Sequence, residues 1–153
     1  MIFFTTDELQ LEIDLLNWYR GEAAKRGYVD ADVVQSSADD SRVMNVFVRD
    51  AAEDILIWAN VNDAKLMLDL TDEGVLFTLE KVRADREYLV PVLRAAMRKY
   101  VVAYVRYRWM ATVKPEWTDG IELDRFRYDI ERLIKGVKDY GQIRRRSTNL
   151  AGI

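Results

Sequence analysis

The stretch Leu89–Met110, LVPVLRAAMRKYVVAYVRYRWM, decides the fold. It is the longest apolar-rich run in the chain, and its apolar residues go most of the way around a helix. One ridge takes Leu89, Leu93, Ala96, Tyr100, Ala103 and Tyr107. A second takes Val90, Met97, Val101 and Tyr104, and a third Val92, Val102, Val105 and Trp109. A helix apolar along one stripe covers a core, whereas one apolar on most sides lies inside it. Arg94, Arg98, Lys99, Arg106 and Arg108 interrupt the run too often for a membrane span. The expected fold is therefore mainly α. It is a helical bundle around a central buried helix whose long cations snorkel outward, with room for a β-hairpin insertion.

Outward from that helix, the chain of 153 residues is long enough to bury a core and fits one domain. We expect a single helical domain over 1–140 and a basic C-terminal tail over 141–153, extended or ordered by a partner. With no cysteine there is neither disulfide nor thiolate chemistry, and nothing points to secretion. With no histidine the commonest general base and transition-metal ligand are missing. The opening MIFFTTDELQ lacks the basic start of a signal peptide. Charge is unevenly divided. Residues 1–80 hold 17 acidic and 6 basic side chains, net −11, and residues 81–153 hold 9 and 17, net +8. Such a split suits a two-faced subunit with polar partners. It is explained equally well if the halves fold together and neutralise each other.

Thr5 or Thr6 can cap a first helix, with Asp7 and Glu8 suiting its dipole. Leu9, Ile13, Leu16 and Ala23 keep helical spacing up to a stop at Gly27. Tyr28–Asp40 reads as a loop. Asp39, Asp40 or Ser41 can cap the next helix, where Met44, Phe47, Ala51, Ile55 and Trp58 line one face. Arg42, Arg49, Asp50, Glu53 and Asp54 lie mostly opposite, and the helix ends near Asn60–Asn62. Lys65–Leu70 and Val75–Val82 flank Thr71-Asp72-Glu73-Gly74 and read as a hairpin, although a helix over 63–70 fits the pattern about as well. An isolated hairpin is marginal and needs helices or a neighbouring subunit behind it. Asp85 can open the central helix, with Pro91 in or near its first regular turn. Lys114-Pro115 and Asp119-Gly120 break it. The last helix runs Leu123, Phe126, Ile130, Leu133 or Ile134, and Val137, with Arg125, Arg127, Glu131, Lys135 and Lys138 on other faces and Gly141 as its stop.

No constellation of Ser-His, Cys-His or His-metal type exists, and there is no phosphate-cradling glycine loop. Carboxylates are the remaining catalytic currency, and an α-helical enzyme would use them on Mg²⁺. Glu8 with Glu12, Asp50-x-x-Glu53 and Asp30-x-Asp32 are the nearest candidates, and none completes a motif. Solvated charge is the better reading of each. No metal and no cofactor is expected, and no enzymatic activity. Tyr100, Tyr104, Tyr107 and Trp109 sit among cations and could stack on nucleic acid, but helical spacing sends most of them to packing faces. Trp18 and Trp58 read as core anchors. Arg144, Arg145 and Arg146 could bind phosphate weakly or dock in an acidic groove of a partner.

These elements form a sequence of their own. A helix with an Asp- or Ser-capped start (Asp40–Ala59) precedes a long helix with the aromatic-rich end Tyr104-Val105-Arg106-Tyr107-Arg108-Trp109. After a break at Ala111–Glu116 come an amphipathic helix (Phe126–Val137) and a tail with arginines. Over residues 40–147 this order resembles the head–tail adaptor (connector) proteins of tailed bacteriophages. The first helix and the apparent hairpin go beyond that pattern. The resemblance implies a structural virion protein and no enzyme. It implies a homo-oligomeric ring of about twelve subunits beneath the portal, forming part of the DNA exit channel. The implied partners are the portal protein, the next tail component, and DNA that passes without sequence-specific binding. No membrane is involved, and the place is the virion, or the host cytoplasm during assembly. Arg144, Arg145 and Arg146 would then dock to portal or tail. The acidic loop with Asp30, Asp32, Asp39 and Asp40 would face the channel and keep DNA mobile. The alternative is a small helical nucleic-acid-binding or regulatory protein using Arg94–Arg108 and the tail. A third reading, an Mg²⁺-dependent nucleotide hydrolase, would lose activity in Glu53→Gln.

Overall fold

The computed structural model describes residues 1–9, 11–13, 41–113 and 121–138. In chain order these form strand β1 (Ile2–Thr5), a helix α1 seen at 6–9 and 11–13, helix α2 (Ser41–Val61), strands β2 (Leu66–Leu70) and β3 (Gly74–Leu79), a 3-10 turn (Ala84–Leu89), and helices α3 (Val90–Val113) and α4 (Ile121–Val137). The fold is mainly α, with one small antiparallel sheet.

Helix α3 lies at the centre, as its three apolar ridges require. Leu93, Met97, Tyr100, Val101, Val102, Val105, Trp109 and Met110 are all buried. Among the described side chains of the helix, Pro91, Val92, Ala95 and Lys99 near its start and Ala111 and Thr112 at its end are exposed, and the others are buried or half-buried. Pro91 is the second residue of the regular helix, where its missing N–H costs nothing. The preceding residues take 3-10 form. Helix α2 buries the stripe read from its spacing, Met44, Phe47, Ala51, Ile55 and Trp58, with Val48, Ala52 and Ala59 beside it. Helix α4 buries Ile130, Ile134 and Val137, while Leu123, Phe126 and Leu133 pack at the margin of the core.

The hairpin exists, and the helix over 63–70 does not. Thr71 closes the turn: its N–H donates to the Gly74 carbonyl at 3.0 Å, and its hydroxyl accepts from the Gly74 N–H at 3.1 Å. Asn60 enforces the change from helix to strand. Its side chain accepts from the Leu66 N–H at 2.8 Å and donates to the Leu66 carbonyl at 3.0 Å, as a neighbouring strand would. Asp63 and Lys65 take φ of 58° and 52° to make the corner.

The hairpin is not isolated. Residues 2–5, absent from the sequence reading as a strand, pair with β3 in the register Ile2↔Phe77 and Phe4↔Val75, giving the order β1-β3-β2. The alternation buries Ile2 and Phe4 and turns Phe3 outward. Phe4 meets Phe77 edge-on, ring centres 6.4 Å apart. Thr5 then caps α1: its hydroxyl accepts from the Glu8 N–H at 3.1 Å, the residue preference expected of a helix start. A four-residue strand flowing directly into a cap is too short to show in a periodicity window, which is why it was missed.

Candidate interaction surface

The acidic first half and basic second half meet inside one molecule. Glu8 and Glu12 stand one turn apart on α1; Arg94 and Arg98 stand one turn apart on α3. They pair in rungs, Arg94 Nη2 to Glu8 Oε1 at 2.7 Å and Arg98 Nε to Glu12 Oε2 at 2.6 Å. A third pair, Arg108 to Asp50 at 3.6 Å, joins α3 to α2. Part of the charge split is thus neutralised within the fold. Glu8 and Glu12, weighed as metal ligands, are held by guanidinium groups instead.

Arg94 does more than pair. Its Nε and Nη2 donate to the Phe3 carbonyl at 3.2 and 3.0 Å, and the guanidinium lies 4.8 Å from the centre of the Phe4 ring. It therefore pins β1 to α3. Arg94→Met is expected to cost about 1 kcal/mol in global stability, the upper range for a partly exposed pair. It should also speed amide exchange in residues 2–5. Hydrogen-exchange mass spectrometry checks this, and unchanged protection of β1 would remove the pinning role.

Between α2 and α3 runs a seam of rings and charges. The Tyr100 hydroxyl donates to Asp54 Oδ2. The Tyr100 ring stands edge-on to Trp58 at 5.9 Å and tilted against Tyr104 at 6.2 Å. Arg108 donates to the Tyr104 hydroxyl at 2.9 Å and lies 4.8 Å over Phe47. These aromatics are packing residues, as their spacing suggested, and the seam leaves no aromatic face free for stacked bases at Tyr100. Burial, with the Asp54 carboxylate second, holds the Tyr100 phenol well above its ordinary value of 10.0. The folded chain therefore keeps a proton that the unfolded chain releases. The Tyr100 contribution is complete below pH 10.0 and is lost as pH climbs past that value. Tyr100→Phe should cost about 1–3 kcal/mol at neutral pH, because Asp54 loses its donor. That gap from wild type should shrink above pH 10.0 in urea titrations, and a gap independent of pH would contradict the account.

Lys138 corrects the sequence reading, which put it on an outer face. It is buried, and its ammonium donates to the Asp63 carbonyl at 3.2 Å and to the Ala64 carbonyl. Burial lowers its pKa. The chain is leaving α4 there: Val82 bridges to Lys138, and the Arg83 N–H donates to the Val137 carbonyl at 2.9 Å. Its own N–H still donates to the Ile134 carbonyl at 3.0 Å, and it follows Ile130 and Ile134 at steps of four, so helical spacing itself carries it to the inward side. The lysine ties the end of α4 to the corner between α2 and β2.

What remains open on the surface is partly apolar. On the outer side of α2, Val43, Val46, Ile57 and Val61 are exposed. On the outer side of the sheet, so are Met1, Phe3 and Met67, and on α4, Tyr128. Several such residues in rows, rather than singly, mark surfaces that contact other proteins. Helical spacing on α2 points to the buried stripe and does not single out these outer residues. Their signal was one of residue type, since four β-branched residues recur on a face otherwise called polar. Arg144, Arg145 and Arg146 lie outside the described residues, as do Asp30, Asp32, Asp39 and Asp40. Trp18, the Tyr28–Asp40 loop and the break at 114–120 lie outside them too.

Among the described residues no three acidic side chains gather as a metal site would need, and no helix is long and apolar enough to cross a membrane. No family model, curated protein or solved structure matches the chain.

Proposed function

We propose that this chain is a structural subunit, a head–tail adaptor of a tailed bacteriophage or prophage that assembles as a ring beneath the portal and lines part of the DNA exit channel. The observation that carries this reading is the set of apolar residues on the outer side of α2, Val43, Val46, Ile57 and Val61, left exposed after the helix has satisfied its own core. A subunit with neighbours needs such a face; a self-sufficient monomer does not. The order of α2, the long α3 with its aromatic end, and the amphipathic α4 is also the order of elements in the resemblance over residues 40–147. In this reading Arg144–Arg146 dock to portal or tail, and Asp30, Asp32, Asp39 and Asp40 face the channel. The nucleic-acid alternative is weakened at α3, because Arg94, Arg98 and Arg108 are engaged with Glu8, Glu12 and Asp50.

The test is mass photometry and electron cryo-microscopy of the chain mixed with the portal protein encoded alongside it. A discrete ring-sized complex is expected, and Arg144–Arg146→Ala should leave the subunit folded while abolishing docking. A subunit that ignores portal and retards DNA with a steep salt dependence would replace the ring with the nucleic-acid reading.

A further inference from the structure

One outward row of α2 takes Val43, Val46, Asp50, Glu53 and Ile57, at alternating spacings of three and four. That is the spacing of a helix–helix seam, yet this row faces away from the buried stripe of its own helix. Its apolar members are well exposed, Val46 by 54% and Ile57 by 65%. Its centre carries two carboxylates, Asp50, half-buried and reaching Arg108, and the exposed Glu53. Arg42 and Arg49 border it on one side.

Helix α4 carries a second outward row with the same alternation: Arg125, Tyr128, Arg132 and Lys135, all exposed, with Tyr128 65% open. Its three cations surround one aromatic, and Asp124 borders it. At 1.5 Å per residue the α2 row from Val43 to Ile57 is about 21 Å long and the α4 row from Arg125 to Lys135 about 15 Å, so the second fits within the first. The two rows are opposite in sign of charge, and apart from the half-buried Asp50 both are exposed.

We infer that the α2 row of one copy packs along the α4 row of a second copy of this chain. Val46 and Ile57 would seat Tyr128, and Glu53 would meet the cations of the neighbour. The contact uses two different patches, so each copy keeps one of each free and the arrangement propagates until it closes. This deepens the ring reading above and rests on it for closure. A second copy is the occupant the observations favour over nucleic acid, because the complementary row with the same spacing is on this molecule.

The absence of cysteine allows a clean test. Glu53→Cys and Arg132→Cys are made separately in the full chain, checked for unchanged Tm, mixed at high concentration and treated with a short bismaleimide. A cross-linked dimer is expected from the mixture and from neither variant alone. A pair of exposed positions outside both rows, Asp72→Cys with Lys99→Cys, sets the background. Adding Arg132→Glu to the partner that carries Glu53→Cys changes no seam in which that partner offers only α2, so the charge test is made in the cysteine-free chain. There Arg132→Glu should weaken self-association about tenfold, and adding Glu53→Arg should restore it. A mixture yield no higher than background overturns the inference. So does cross-linking of Glu53→Cys to itself, which marks a two-fold α2 contact, and so does loss of DNA retardation in Arg132→Glu without any change in self-association. A cross-link without a ring on portal would keep this contact and discard the ring; a ring without the cross-link would do the reverse.

Discussion

Trp58→Ala is expected to cost about 3–5 kcal/mol, the range for emptying a buried aromatic site. Trp58 is 3% exposed and stands where three helices meet. Its ring is edge-on to Tyr100 of α3 at 5.9 Å, and Arg127 of α4 lies 5.2 Å over its face. The residue also helps end its own helix, since its carbonyl accepts from the Asn62 side chain at 3.1 Å. Edge-on aromatic pairing adds about 0.5–1.5 kcal/mol to what burial alone gives. Against a domain stability of roughly 5–15 kcal/mol, much of the margin would vanish. Urea denaturation followed by circular dichroism reads the result as a lowered midpoint with an unchanged slope. A loss under about 1 kcal/mol would move Trp58 out of the core.

The second large effect is expected from a single methyl group, in Gly74→Ala. Gly74 begins β3 and is paired with Thr5 of β1. A Cβ on Gly74 would fall onto the Phe4 carbonyl oxygen, 2.9 Å from the Phe4 carbonyl carbon and 3.0 Å from the Thr5 Cα. All three atoms belong to backbone, so no rotamer change relieves the overlap. The strand must separate, and with it go the burial of Ile2 and Phe4 and the anchor for the Thr5 cap of α1. Losing the burial of one such side chain costs about 1.5–3 kcal/mol, and the two share the same strand. We expect a loss of at least about 3 kcal/mol, with exchange protection falling in residues 2–5 while α3 keeps its own. Protection lost uniformly across the chain would mean that β1 is not a separable unit. Wild-type stability in Gly74→Ala would mean that β1 does not approach β3 as described. The contrast with Arg94→Met is useful, because that substitution loosens the same strand from its other side at a fraction of the effect.

The candidate surface was legible in part. The charge on α4 at Arg125 and Lys135 was read as an outward face, and it is one. Tyr128 drew no notice because a lone aromatic between cations has no periodic signature. The outer row of α2 was hidden by success: once Met44 through Trp58 accounted for the core, Val43, Val46 and Ile57 looked like exceptions to a polar face. The matched rungs were recoverable in principle, since Glu8 with Glu12 and Arg94 with Arg98 share one spacing. Nothing in a linear reading could say that those two helices are neighbours.

Sequence by itself determined the helices α2, α3 and α4 and their inward stripes, because each depends on contacts within a few residues and on the 3.6-residue period, and it left the hairpin open against a helix over 63–70. It also determined the central place of Leu89–Met110, whose apolar surface had to be covered on most sides. Tertiary structure alone decided that residues 2–5 complete a sheet with β3, that the Lys138 ammonium ends on carbonyls of the α2–β2 corner, and that part of the opposed charge of the two halves is spent in pairs between them. Those outcomes join residues far apart in the chain, 86 positions for Arg94 with Glu8 and 75 for Lys138 with Asp63. Desolvation and pairing energies of that kind exist only once the helices are packed.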